Sequence, residues 1–193
     1  MELIFASNNK HKLEEVKSAL GTAFTVVSLS DINCYDDLPE EQIDLQGNAL
    51  QKARYIYEKY HKNCFSDDTG LEIEALNGCP GVYSARYAGM GCSFEDNVNK
   101  ILDEMQHIDN RKACFRTVIA LILDAKEYLF EGKIDGIILR EKQGKNGFGY
   151  DPIFQPIEST VSFSKMDLDT KNAFSHRGKA LGKLVEFLEI NNL

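Results

Sequence analysis

Two adjacent carboxylates, Asp67 and Asp68, stand between a strand-like segment and a hydroxyl and glycine in Phe65-Ser66-Asp67-Asp68-Thr69-Gly70. Neighbouring carboxylates repel, so such a pair needs water, a cation or a metal ion beside it. Residues 63–66 read as a short strand and residues 71–76 as an alternating one. That places the pair at a strand end, where α/β proteins build their sites. Asp-Asp-Thr-Gly is also good turn chemistry, so a solvated turn and a metal-assisted site both fit the hexapeptide.

Three other stretches carry groups of chemical interest. Ser7-Asn8-Asn9-Lys10-His11-Lys12 follows an apolar run at residues 3–6 and precedes Leu13, Val16 and Leu20 at helical spacing, up to a stop at Gly21. A helix N-terminus offers unpaired N–H groups and partial positive charge, and Lys10 and Lys12 add to both. This fits a phosphate cradle or an ordinary capped helix with a wet lysine face. It is not a Walker loop, because it has no glycines. Gly144-Lys145-Asn146-Gly147-Phe148-Gly149-Tyr150-Asp151-Pro152 lets backbone approach a ligand closely. Its aromatics could stack on a base and Asp151 could accept from ring N–H groups, or the aromatics could be tucked into the core. Lys171, His176, Arg177 and Lys179 gather at the start of the last helix, with Ser175 where an N-cap belongs. Cations there oppose the macrodipole, which suggests an acceptor-rich ligand; surface decoration is the other reading. Asp36, Asp37, Glu40 and Glu41 form an acidic stretch that is either solvated or the source of a metal carboxylate.

The elements that must position these groups follow from periodicity. Residues 24–29 read as a strand. Residues 46–60 read as a helix with Ala49, Leu50, Ala53, Ile56, Tyr57 and Tyr60 on its apolar face. Asn48, Lys52 and Arg54 lie off that stripe, so Lys52 reads as a surface lysine unless its flank lines a cleft. A turn at residues 77–81 leads into residues 82–89, where an arginine and two tyrosines precede a glycine-bearing loop. Ser93 and Asp96 form a capping-box-like pair ahead of an amphipathic helix with Phe94, Val98, Ile101, Leu102 and Met105. Residues 113–124 and 127–139 read as a long antiparallel hairpin turning at Ala125-Lys126, with Gly132 and Gly136 suggesting a bulge or bend. Leu181, Leu184, Val185 and Leu188 mark the terminal helix.

The bulk composition limits the function classes. A chain of 193 residues with 43% hydrophobic content can bury a core as one large domain or two packed lobes. The net charge of −8 disfavours a grip on nucleic acid, so cations for an anionic ligand must be grouped locally. Five cysteines, an odd number with no Cys-x-x-Cys, indicate reduced thiols in a cytosolic protein. The start, Met1-Glu2-Leu3-Ile4-Phe5, lacks the character of a signal peptide. The longest apolar run, residues 118–123, is too short to span a bilayer.

Together the stretches resemble one family. Ser7 to Lys12, Ser66 to Leu71, Pro80 to Tyr87, Gly147 to Phe154 and Ser175 to Leu181 are similar, in order and spacing, to the signature blocks of the inosine/xanthosine triphosphate pyrophosphatases. These are the house-cleaning non-canonical purine nucleoside triphosphatases, and the likeness covers essentially the whole chain, residues 1–193. It implies an α/β fold with a long central mixed sheet and flanking helices, two lobes around a substrate cleft, and a homodimer. It implies Mg²⁺-dependent hydrolysis of ITP, dITP and XTP to the monophosphate and pyrophosphate. By resemblance Ser7, Asn8, Asn9, Lys10, His11 and Lys12 hold phosphates, as does Lys52. Asp68 is the catalytic base and a metal ligand, with Asp67 beside it. Thr69 is a substrate-contacting hydroxyl that is often serine in the family. Phe148, Gly149, Tyr150, Asp151, Lys171, His176 and Arg177 form the base pocket. Glu40 and Glu41 both fall where the family has its metal glutamate, and Leu38-Pro39-Glu40 favours Glu40. A nucleotide sensor without turnover and an RNA-binding protein are the competing classes.

Overall fold

A computed structural model describes residues 1–20 and 24–191. The expected helix stop at Gly21 lies outside the described residues. Six strands form one mixed sheet: β1 (Glu2–Phe5), β2 (Thr25–Ser28), β3 (Cys64–Ile73), β4 (Lys112–Leu123), β5 (Lys126–Ile138) and β6 (Phe154–Pro156). Their order is β2-β1-β3-β4-β5-β6. β1 pairs in parallel with β2 and β3, and every other pairing is antiparallel. The helices are α1 (Lys10–Leu20), α2 (Leu45–Tyr60), α3 (Phe94–Glu104), α4 (Leu168–Phe174) and α5 (His176–Ile190). α1 and α2 supply the crossovers that parallel strands require.

Alternation along the strands divides the core. Leu3 and Phe5 of β1 pack with Phe65, Ile119 and Leu121 under α1 and α5. Ile4 and Ala6 point the other way and pack with Ala49, Ala53 and Ile56 of α2. At the far end of the sheet, Ile73, Phe115, Ile134 and Phe154 pack against Val98 and Ile101 of α3 and against Met105, which caps its C-terminus. Three packed regions therefore share one sheet. Among the described residues no helix is long and apolar enough to cross a membrane.

The local signals set most boundaries. The Ser93–Asp96 capping box opens α3, and Ser175 caps α5 by accepting from Gly178 N–H. Gly81–Arg86 is a 3₁₀ helix, an element for which the sequence reading gives no assignment. α4 and β6 escape the periodicity reading, being too short to repeat. Glu74–Leu76 is 3₁₀ rather than strand. The β4–β5 turn is Asp124-Ala125, both at positive φ (49° and 63°), one residue earlier than the sequence indicates. Positive φ at both central residues is the type I′ pattern that matches strand twist.

Gly132 and Gly136 do not form a bulge: the β4–β5 register runs without a skip past both. Gly132 instead admits α5, since a Cβ there would lie 2.0 Å from the His176 carbonyl oxygen and 2.5 Å from Ala180 N. That contact sets the start of α5, and with it His176 and Arg177, directly on the hairpin. Gly132→Ala should therefore destabilise the protein by about 2 kcal/mol or more through overpacking against backbone. Gly182→Ala, on exposed α5 with open space around it, should stabilise by up to ~1 kcal/mol. Urea unfolding of the two variants tests the pair, and equal effects would refute the packing account.

Candidate active site

Asp67 and Asp68 lie in the middle of β3, not in a turn or at a strand end. Their partners on β4 are Ile119 and Val118 in an unbroken antiparallel ladder. The strand period of two then sends the side chains to opposite faces. Asp67 shares the α1/α5 face with Phe65 and Thr69, and Asp68 shares the α2 face with Cys64 and Ser66. Each carboxylate thus acquires its own cations, and the repulsion expected of neighbours is relieved by geometry.

On the first face, Lys12 Nζ of α1 sits 3.0 Å from Asp67 Oδ1. Arg177 of α5 donates to Asp67 Oδ2 from Nε at 3.2 Å and from Nη2 at 3.1 Å. The Nη2 group also donates to Thr69 Oγ1 at 3.1 Å, and Nη1 donates to Glu15. Glu15 in turn accepts from Lys171 at 2.6 Å, and Lys171 reaches Asp151 at 2.6 Å. A chain of alternating charge therefore runs Lys12–Asp67–Arg177–Glu15–Lys171–Asp151 through buried space. Thr69 Oγ1 also lies 2.6 Å from Thr117 Oγ1, directly across the ladder on β4.

On the second face, Lys52 Nζ of α2 lies 3.1 Å from Asp68 Oδ1 and 2.5 Å from Glu40 Oε1. Asn48 donates to Asp68 Oδ2 at 3.2 Å, and Arg86 approaches Glu40 Oε2 at 3.4 Å. Lys52 is only 4% exposed, so it is not the surface lysine its helical phase indicates. Its flank of α2, with Asn48, faces β3.

The same burial drives the two aspartates in opposite directions. For Asp67, burial favours the neutral acid, but Lys12, Arg177 and Lys52 outweigh it and hold the carboxyl well below the usual range. For Asp68, burial dominates and Glu40 adds to it, so its affinity for a proton is raised despite Lys52 and Lys12. Adjacent acids driven apart in this way suit different tasks: one a fixed anion, the other a proton acceptor. Burial depresses the Lys12 pKa, with Asp67 opposing. His176, buried beside Arg177 and Lys171, is held well below its ordinary value and is neutral at pH 7.

The groups meet in one cleft of about 670 Å³. Ser7, Asn8, Asn9, Lys12, Glu40, Lys52, Asp68 and Thr69 line one part. Phe148, Gly149, Tyr150, Asp151, Lys171, His176 and Arg177 line the other. Lys10 and His11 are exposed and do not line it, although the His11 ring stacks on Phe148, which does. Glu41 is exposed and turned to Gln51, whereas Glu40 faces the cleft. His176 is not surface decoration: it stacks on Phe115 at 4.6 Å, and its Nδ1 is buried without a hydrogen-bond partner. Tyr150 is buried, its hydroxyl donating to the Ser84 carbonyl, so it presents backbone rather than a ring face. Glu15, Arg86 and Thr117 were not singled out by sequence reasoning. Glu15 had one usable signal, an acid immediately before Val16 on the buried side of an amphipathic helix.

Among the described residues no group of three or more His, Cys, Asp or Glu side chains gathers as a preformed metal cage. Glu40 and Asp68 nevertheless share one cation, the Lys52 ammonium, in the cleft. Two hard carboxylates around a shared positive charge are the donor set that Mg²⁺ needs, since it keeps waters and takes oxygen from its ligand's phosphates.

Residues 3–187 match the sequence profile described as the Ham1 family. A dITP/XTP pyrophosphatase of Flavobacterium johnsoniae is 50% identical over 188 residues, covering 97% of this chain and 98% of that protein. One from Porphyromonas gingivalis is also 50% identical, with 97% of each chain covered. The solved Ham1 protein of Staphylococcus aureus superimposes with a TM-score of 0.89 at 35% identity, covering 99% of this chain and 100% of that one.

The charge chain makes stability sensitive to acid. Burial raises the Glu15 pKa, but Arg177 and Lys171 outweigh it, so the folded value is lowered. A lowered carboxylate contributes stability above its unfolded pKa of about 4.3, and that contribution fades as pH falls toward the folded value. Glu15→Gln should cost ~3 kcal/mol at pH 7, because two buried cations each lose a partner. The gap from the native protein should narrow as pH drops below about 4. Urea titrations at pH 7 and pH 4 test this, and a gap independent of pH would sink it.

Proposed function

The chain belongs to the Ham1 family, and from that premise we propose how its cleft hydrolyses non-canonical purine nucleoside triphosphates. The enzyme cleaves ITP, dITP and XTP to the nucleoside monophosphate and pyrophosphate, cleansing the nucleotide pool. One observation carries the residue assignments. The cleft is divided into a cation-and-carboxylate end at β3 and an aromatic, acceptor-and-donor end at the start of α5.

The phosphates belong at the first end. Lys12 and Lys52 stand there beside the N-terminus of α1 and the Ser7, Asn8 and Asn9 side chains. In the free enzyme both ammonium groups rest on carboxylates, which keeps the buried charges paired until a polyanion competes for them. Asp68 accepts the proton of the attacking water, a role that its raised proton affinity and its place on the cleft support. Asp67, held ionised, fixes Lys12 and Arg177. Glu40 and Asp68 would hold Mg²⁺, which supplies charge neutralisation on the phosphates. Phosphoryl hydrolysis is largely positioning and neutralisation, and these are the parts for both.

The base belongs at the second end. Phe148 offers a face, Gly149 and Tyr150 offer backbone, and Asp151 and Lys171 offer an acceptor and a donor. His176 Nδ1 awaits a partner there. Arg177 spends Nε, Nη2 and an Nη1 hydrogen on Asp67, Thr69 and Glu15, so little of its fork is free. Hypoxanthine and xanthine carry an oxygen where adenine carries an amino group. A pocket of fixed donors leaves one of them unpaired against adenine, and such sites discriminate by roughly 10⁴. The reading carries a homodimer in the cytosol, made of one two-lobed domain per chain, with no nucleic-acid or membrane partner.

Mg²⁺-dependent pyrophosphate release from ITP and XTP, compared with ATP and GTP, tests the reading. A sensor would bind ITP without turnover. Asp68→Asn should lower turnover by about 10² or more while the protein stays folded; near-full activity at saturating Mg²⁺ would remove Asp68 from its role. Glu40→Gln should raise the Mg²⁺ concentration needed for half-maximal rate more than Glu41→Gln does. The reverse order in a Mg²⁺ titration would transfer the ligand role to Glu41.

A further inference from the structure

His11 stands within the loop-and-helix start that faces the phosphate end, but its ring does not turn there. The imidazole lies almost parallel to the Phe148 phenyl, with an interplanar angle of 13° and ring centroids 5.2 Å apart. That is offset stacking between α1 and the glycine loop, two segments brought together only by the fold. Phe94 at the start of α3 completes the cluster, 5.8 Å from Phe148 and 6.1 Å from His11. The Phe148 ring also has Lys171 Nζ 5.1 Å and Arg177 Cζ 5.7 Å from its centroid. The aromatic surface therefore sits over the cations of the base end.

His11 also lies one helical turn before Glu15, at i and i+4 on α1. Glu15 reaches down to Lys171 and Arg177, so that face of α1 looks toward the base end. Lys12, one position on, turns instead to Asp67. Consecutive residues of α1 are thus divided between the two ends of the cleft.

We propose that His11 is a base-stacking residue, pairing with Phe148 as the aromatic platform on which the purine of the substrate rests, and is not a phosphate ligand. This rests on the reading of the cleft as a purine nucleoside triphosphate site. Half of the His11 side chain is exposed, and Phe148 rises on a loop whose Gly147 and Gly149 both have positive φ. His11, backed by Phe148, is consequently accessible to a planar ligand, and stacking needs no hydrogen-bond partner.

The test separates the two halves of the substrate. Inosine and inorganic tripolyphosphate are each titrated as inhibitors of ITP hydrolysis by the native enzyme, His11→Ala and His11→Phe. His11→Ala should weaken inosine by about 5- to 20-fold, as expected for one lost stacking partner, and leave tripolyphosphate within about twofold. His11→Phe should restore inosine inhibition, which a lost imidazole hydrogen bond would not produce. Weakened tripolyphosphate with inosine spared would make His11 a phosphate ligand and overturn the proposal. Unchanged inosine, or equal losses for both probes, would overturn it as well. Failure of the native enzyme to hydrolyse ITP would instead bring down the purine triphosphate reading itself.

Discussion

The site depends on one constraint, the alternation of side chains along an unbroken β3. Two carboxylates that are neighbours in sequence are put on opposite faces of the sheet. Had the ladder broken there, both would compete for the same surroundings. Because it holds, α1 and α5 supply the cations for Asp67, and α2 supplies those for Asp68. The difference in their proton affinities follows directly. The proposed chemistry, which needs one permanent anion and one proton acceptor, would obtain both from a dipeptide.

That arrangement carries a cost which the rest of the structure offsets. Buried charges are expensive unless paired and hydrogen-bonded. The chain from Lys12 to Asp151 meets the requirement by alternation: Asp67 and Glu15 each touch cations from two different elements, and Asp151 ends the chain on Lys171. Its members come from α1, β3, α4, α5 and the glycine loop, so it ties these elements together with side chains of little freedom. Preorganisation of this kind favours a reaction whose barrier is lowered mainly by positioning. It also explains why glycines matter where they do. Gly132 brings α5 onto the hairpin, and Gly147 leaves room for the Asp151 carboxylate, which a Cβ would meet at 2.1 Å.

Sequence and structure divide the molecule along physical lines. Chemistry set by local order was legible in the chain: the helices and their caps at Ser93 and Ser175, the long hairpin, and the stretches that carry the family resemblance. These depend on capping bonds and on periodicity, both properties of neighbouring residues. The same local rules put Asp67 and Asp68 at a strand end, with a turn as one reading, but turn propensity is weak beside ten paired residues of β4. They also misread Gly132 and Gly136, since a glycine in a strand looks the same whether it makes a bulge or admits a helix.

The residue types proposed for a phosphate end, a base end and a metal carboxylate were thus present in the sequence alone. Their partners were decided by the fold. Lys52 is a buried cation, and not a surface lysine, only because β3 passes beneath α2. Glu15 matters only because α4 and α5 bring Lys171 and Arg177 to it across more than 150 residues. His11 meets Phe148 for the same reason. Long-range pairing leaves no periodic or capping signature in the chain, because it arises from the packing of whole elements and not from the order of adjacent residues.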